Sequence, residues 1–359
     1  MTKRIAIVGG GYAGAQLAKG LESEARITLI EERSHFVHAS ALIRALVDPS
    51  ILDEALIPYD KLLKQGKVVR GSAVSVREDS ILLADGRCIH ADYIVVATGS
   101  ENAMPFKAKG ADIEGLRRAN AHIHSHLKQA RTIAIVGAGA VGVELAGEIK
   151  HFMPNKQVTL ISNRQALFPS QPDKLGLQLI DKLKALGVEI LLGVRAENLE
   201  STTMPYQGEL ALSNGQRIGA DLIFPSIGSR ACPSLLENLP GAQKSTANRI
   251  KVDQWMRPSS YHEVFAVGDV ADSGDAMTIA AITRQVPWLK KTLLALTRGE
   301  SLEKLRPYRP WGEKAPIVVT LGPTRGNSYL GVFTAGNFLT RMLKGKDLTT
   351  RYNRIFGRQ

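Results

Sequence analysis

Ile5-Ala6-Ile7-Val8-Gly9-Gly10-Gly11-Tyr12-Ala13-Gly14 stands near the start of the chain, and Ile133-Ala134-Ile135-Val136-Gly137-Ala138-Gly139-Ala140-Val141-Gly142 repeats it 128 residues later. Each copy is a short apolar strand, then G-x-G-x-x-G, then a helix-compatible run. One glycine-rich turn is a weak signal. Two in strand–turn–helix context predict two dinucleotide sites on one chain. The three glycines have separate tasks. The first makes the tight turn, the second lets backbone N–H groups approach a pyrophosphate, and the third lets helix and strand pack closely. The helix N-terminus then faces the phosphates with the positive end of its dipole.

The repeat extends beyond the glycines. Asp85-Gly86-Arg87-Cys88-Ile89-His90-Ala91-Asp92 returns as Asn214-Gly215-Gln216-Arg217-Ile218-Gly219-Ala220-Asp221, and Gly99-Ser100 returns as Gly228-Ser229. This spacing predicts two homologous α/β units, each with an Asp-Gly or Asn-Gly hairpin before its closing strand. The strand after each first helix separates the ligands. In the first copy Ile27-Thr28-Leu29-Ile30 ends in Glu31, a carboxylate suited to an unphosphorylated ribose. In the second, Val158-Thr159-Leu160-Ile161 ends in Ser162-Asn163-Arg164. The acid is gone and a cation lies two residues on, so NADPH is expected beside NADH.

Composition places limits on the alternatives. The chain has 359 residues, long enough for two or three domains with real cores. Hydrophobic residues are 44% and charged residues 22%, as in ordinary globular proteins. No apolar run reaches bilayer-spanning length, and no leader peptide is read. Thr2 follows Met1, where a myristoylation signal needs glycine. A cytoplasmic protein is therefore expected. Two cysteines, Cys88 and Cys232, argue against a disulfide scaffold, a C-x-x-C pair and a zinc cluster. No metal is expected, and His122, His124 and His126 read as a polar linker or helix start.

Val264-Phe265-Ala266-Val267-Gly268-Asp269 is a buried strand ending in Gly-Asp, followed by a helical run from about Met277. The order of G-x-G-x-x-G, Ala97-Thr98-Gly99, a second G-x-G-x-x-G and this segment resembles the two-dinucleotide-binding-domain flavoproteins. Within them the chain most resembles the apoptosis-inducing-factor-like group that includes the ferroptosis-suppressing quinone reductase, with type II NADH dehydrogenases as cousins. Ser34-His35-Phe36, Ala41-Leu42-Ile43-Arg44-Ala45, Gln65-Gly66-Lys67-Val68-Val69, Gly142-Val143-Glu144-Leu145-Ala146-Gly147-Glu148-Ile149-Lys150 and Arg341-Met342-Leu343-Lys344-Gly345-Lys346-Asp347-Leu348 carry that likeness. It implies FAD held by Gly9, Gly10, Gly11, Tyr12, Ala13, Gly14, Glu31, Arg44, Val68, Thr98, Gly268 and Asp269. It implies NADH or NADPH at Gly137, Gly139, Gly142, Glu144, Ser162, Arg164 and Gly228. Arg44 would reach the FAD phosphates or ribityl, Val68 the adenine, and Glu144 the nicotinamide. Type II dehydrogenases tend to carry two glutamines in the flavin-facing helix; Gln285 fits the second position and Ala280 stands at the first.

The expected fold is therefore α/β, with two Rossmann-like units of the pyridine nucleotide-disulfide oxidoreductase kind and a small C-terminal α+β segment. Residues 1–110 and 245–298 would form a discontinuous FAD domain. Residues 111–244 would form the NAD(P)H domain and 299–359 the C-terminal domain. Net charge is +12. Arg341, Lys344, Lys346, Arg351, Arg354 and Arg358 concentrate part of it in the tail, while Phe338, Leu339, Met342 and Leu343 recur at helical spacing. Such a segment suits an anionic membrane surface or a lid with a basic rim. A nucleic-acid partner is not expected, and a homodimer is left open. The reading is an FAD-dependent NAD(P)H oxidoreductase delivering electrons to a quinone-type acceptor. A slow NAD(P)H-sensing signal protein and a ferredoxin or rubredoxin reductase are the rivals.

Overall fold

The computed structural model describes residues 2–107, 110–312, 315–345 and 347–358. Apolar strands alternating with helices build two parallel sheets, because β-branched runs buried on both faces need helices to cover them. The first sheet has the order Val264–Ala266, Tyr93–Val96, Arg4–Val8, Arg26–Glu31, Lys67–Arg70, all parallel. One of its strands thus comes from beyond residue 260, after the whole second unit. The second sheet runs Val188–Leu192, Gln157–Ser162, Thr132–Val136, Arg217–Pro225, Tyr206–Ala211, parallel except for the last pair.

The repeat is visible in register. Ile5 pairs with Tyr93 in the first sheet, and Ile133 with Leu222 in the second. Asp92 accepts the Arg4 amide at 2.7 Å, and Asp221 accepts the Arg131 and Thr132 amides at 2.7 and 3.0 Å. The hairpin turns carry Gly86 at φ +86° and Gly215 at φ +85°, the left-handed conformation that glycine adopts without strain.

The C-terminal part is an antiparallel sheet of Ile317–Leu321, Arg325–Tyr329 and Thr334–Ala335, followed by short helical turns. It packs on the second unit's helix Ala140–Phe152. Gly147 on that helix has no room for a side chain, since a Cβ there would lie 2.4 Å from Leu321 Cα. The chain then crosses to the first unit. Tyr352 and Phe356 of the final helical segment enter its core against Phe36, with Tyr12 and Tyr59 alongside. His122, His124 and His126 lie in the second half of the helix Ile113–Gln129, neither in a linker nor at a helix start. Helical spacing outweighed their polarity: Ile113, Leu116, Ile123 and Leu127 bury one face. Among the described residues no helix is long and apolar enough to cross a membrane, and no cluster of three or more metal-ligating side chains occurs.

Candidate active site

The two fingerprint turns fold alike. Gly9 has φ +99° and Gly137 φ +113°, and a Cβ on either would strike a backbone carbonyl, Ala97 O at 2.4 Å or Ser226 O at 2.1 Å. Gly14 and Gly142 repeat one close approach, with a Cβ 1.9 Å from Gly9 O and from Gly137 O. Gly11 and Gly139 face open space. These are the turn, packing and ligand-approach positions that a pyrophosphate cradle needs. Gly11 and Gly139 cap their helices without side-chain bonds, so the first helical amides are left for a ligand.

The first cleft, of about 400 Å³, is lined by Gly9, Gly11, Tyr12, Ala13, Glu31, Thr98, Gly268 and Asp269. Glu31 is buried. It accepts the Gly10 amide at 2.5 Å and the Arg33 amide at 2.9 Å, which fixes its carboxylate at the cleft wall. Asp269 accepts Ser100 Oγ at 2.5 Å. Lys107 Nζ donates to Ser100 Oγ at 2.6 Å and lies 3.8 Å from the Asp269 carboxylate. Burial pushes the Lys107 ammonium below its usual range, while Asp269 opposes the shift. Arg249 fixes the loop by donating to the carbonyls of Asp269, Ala271 and Asp275.

Lys107, Arg33, Arg249 and the stretch Gly71–Ala73 were not singled out from sequence. Arg33 had a signal: it stands two residues after Glu31, as Arg164 stands two after Ser162. Lys107 and Arg249 had none, since their partners stand outside any helical or strand spacing: Arg249 bonds to carbonyls 20–26 residues on, and Lys107 reaches Asp269 from a distant part of the chain.

Four expected site residues are placed elsewhere. Arg44 does not line the cleft. Its buried guanidinium forks onto Glu148 at 2.9–3.1 Å and donates to Gly345 O at 3.0 Å. Removing a guanidinium from water requires a fixed carboxylate partner, and Glu148 supplies it. Burial raises the Glu148 carboxyl, with Arg44 pulling the other way. Glu144 is also buried outside both clefts, accepting Lys344 Nζ at 2.5 Å and the Thr320 amide at 3.2 Å. Val68 lies in the strand paired with Leu29, and the cleft is lined instead by Gly71, Ser72 and Ala73 just beyond it. Gln285 is buried behind the cleft. Its Oε1 accepts the Gly268 amide at 2.9 Å, and its Nε2 donates to Ser273 Oγ and Asp275 Oδ2 at 3.0 and 3.1 Å. It therefore positions the Gly268–Asp269 turn.

The second cleft, of about 500 Å³, is lined by Gly137, Gly139, Ser162, Arg164, Arg195 and Gly228 among others. Arg164 and Arg195 are its charged residues, and among the described residues no carboxylate lines it. Ser162 Oγ accepts the Arg164 amide at 3.1 Å. Phe168, Pro169 and Ser170 belong both to this cleft and to a third cavity, which reaches Asp272, Gly274–Ala276 and Thr278. Thr278 caps the helix Ile279–Thr297 by accepting the Ala281 amide, and Ile282 of that helix lines the first cleft. The intermediate cavity thus adjoins the second cleft and ends at the N-terminus of the helix whose Ile282 lines the first.

Two glycine-turn clefts on one chain are what a two-dinucleotide flavoprotein needs, and residues 3–286 match the family described as pyridine nucleotide-disulphide oxidoreductase. The chain belongs to that family. It is 31% identical to apoptosis-inducing factor homolog B of Dictyostelium discoideum, over 96% of this chain and 94% of that one. It is 25% identical to ferroptosis suppressor protein 1 of Homo sapiens, over 96% and 93%. Among solved structures, NDH2 from Plasmodium falciparum superposes with a TM-score of 0.74 at 12% identity, covering 96% of this chain and 93% of that one. The protein is an FAD-dependent NAD(P)H oxidoreductase.

Proposed function

We infer that the protein passes electrons from NAD(P)H to a quinone-type acceptor at a lipid surface. The observation that carries this is the C-terminal surface. Phe338, Leu339, Met342 and Leu343 are exposed, as are Val332 and Phe333, with Phe338 at 75% and Met342 at 67%. Arg341, Arg351 and Arg354 are exposed on the same segment. Apolar side chains flanked by arginines match an anionic membrane. Lys344 is turned inward to Glu144, and Lys346 lies outside the described residues. The inward end of this segment touches Glu144, on the helix that follows the second fingerprint turn, and Arg44, on the helix Ala39–Ala45 of the first unit. One segment thus joins a lipid-facing surface to the protein's interior.

FAD supplies hydride acceptance from a reduced nicotinamide and onward release of electrons. The chain's own task is positioning. Glu31, Asp269 and the Gly9–Gly14 turn would hold FAD. Gly137, Gly139, Gly142, Ser162, Arg164 and Gly228 would hold NAD(P)H, with Arg195 added by the structure. Orientation and exclusion of water suffice for hydride transfer, so no acid–base dyad is required. The test is steady-state NADPH oxidation with a long-tailed quinone in anionic vesicles, against a short soluble quinone. Faster turnover with the vesicle-borne quinone is expected. Negligible turnover with either quinone, while FAD is still reduced, defeats the reading.

A further inference from the structure

Away from both nucleotide clefts, the segment Arg306–Arg309 lies against the helix Ile279–Thr297 and encloses a cavity of about 350 Å³. Arg284, Trp288, Arg306, Pro307, Tyr308 and Arg309 line it. Its walls are fixed. Trp288 Nε1 donates to Arg306 O at 3.0 Å, and the Tyr308 amide donates to Gln254 O at 2.7 Å. The Tyr308 ring is buried, meets Trp288 edge to face with centroids 5.4 Å apart, and donates its hydroxyl to Asp275. Arg284 is stacked over Trp311, 4.4 Å from the ring centroid.

The charge of this cavity is unbalanced. Among the described residues, none of Arg284, Arg306 and Arg309 has a carboxylate partner, whereas the nearby Arg249 and Arg257 pair with Asp272 and Asp253. Arg284, Arg306 and Arg309 all contribute to the lining of one hollow beside Trp288 and Tyr308, and a bound anion would balance their charge. A guanidinium presents a planar fork of donors that matches phosphate oxygens two at a time. We propose that this pocket binds a small phosphate-bearing anion, at a site separate from the two dinucleotide clefts. The lining residues of the three do not overlap. Tyr308 and the Trp311 amide both grip Asp275, which Gln285 links to Gly268 of the first cleft, so an occupant sits one chain of hydrogen bonds from the flavin turn.

The three tryptophans make the site readable. Trp288 lines it, Trp311 lies under Arg284, and Trp255 adjoins Gln254, the Tyr308 partner. The FAD-loaded protein is titrated with inorganic pyrophosphate and, in parallel, with ADP, following tryptophan emission at constant ionic strength. A saturable change with pyrophosphate is expected. Arg306→Gln with Arg309→Gln lowers the affinity at least about tenfold, and the corresponding double lysine variant restores part of it. ADP binding more tightly than pyrophosphate makes a nucleotide the natural source of the phosphate; equal binding makes it the phosphate alone. No change at millimolar pyrophosphate, the same change in the double glutamine variant, or an equal change with sodium chloride overturns the site.

Discussion

Ser162 and Glu31 end equivalent strands of the two units, and we propose that the difference between them decides which ribose each cleft accepts. A carboxylate in place of Ser162 would face a 2′-phosphate beside Arg164 and Arg195. Ser162→Glu should therefore weaken NADPH by about 1–3 kcal/mol, fivefold or more in kcat/KM, with NADH spared. Equal losses for both would show that Ser162 does not read the phosphate. Asp269 and Arg44 separate in the same manner. Asp269→Ala should release FAD more readily than Arg164→Ala, measured as flavin retained after gel filtration. Arg44→Ala leaves Glu148 buried without its partner. It should lower stability by about 3–5 kcal/mol in urea unfolding, with little direct effect on FAD affinity in the folded fraction.

At the scale of elements, buried polar side chains brace the helix Ile279–Thr297, through Gln285, and the C-terminal segment, through His38 among others. Gln285→Leu strands the Gly268 amide. The expected cost is about 1–3 kcal/mol, seen as faster FAD release. His38 receives the Tyr12 hydroxyl on Nδ1 at 2.7 Å and donates from Nε2 to Leu348 O at 2.6 Å. Burial depresses its pKa to about 4. The folded state therefore keeps His38 neutral while an unfolded chain protonates near pH 6.5. Its contribution is present above pH 6.5 and is lost as pH falls toward 4, on the order of 3 kcal/mol in all. Urea midpoints measured between pH 7 and 4.5 should fall more steeply for wild type than for His38→Gln; parallel curves would remove His38 as the cause. These braces also mark the limit of sequence reading. The turns, Glu31, Ser162 and Asp269 were legible because strand–turn–helix context is local. Arg44, Glu144 and Gln285 look like site residues by position, yet each is turned onto a partner by folding. Those partners lie 104 residues away for Arg44 and 200 for Glu144, where no spacing rule applies.

For the whole molecule, the tail combines an exposed apolar face with a segment packed into the core, and a truncation would remove both. Phe338, Met342 and Leu343 are exposed, whereas Tyr352 and Phe356 are core. Phe338→Ser with Leu343→Ser should reduce anionic-vesicle binding and long-tailed quinone turnover, leaving short-quinone turnover and flavin reduction intact. Equal loss for both quinones would assign the segment to a lid. Deleting everything after Phe333 should instead destabilise the flavin domain itself. Tyr12, at the mouth of the first nucleotide turn, rests against Tyr352, with ring centroids 5.2 Å apart. The unit that carries the first glycine turn is thus completed by the helix Thr350–Ile355 and the adjoining Phe356, far along the sequence. A nascent chain that already holds both glycine turns still exposes the faces of Phe36 and Tyr59 that Phe356 will cover. FAD retention is therefore expected to depend on that docked segment, and a chain cut before Tyr352 should lose its flavin on gel filtration.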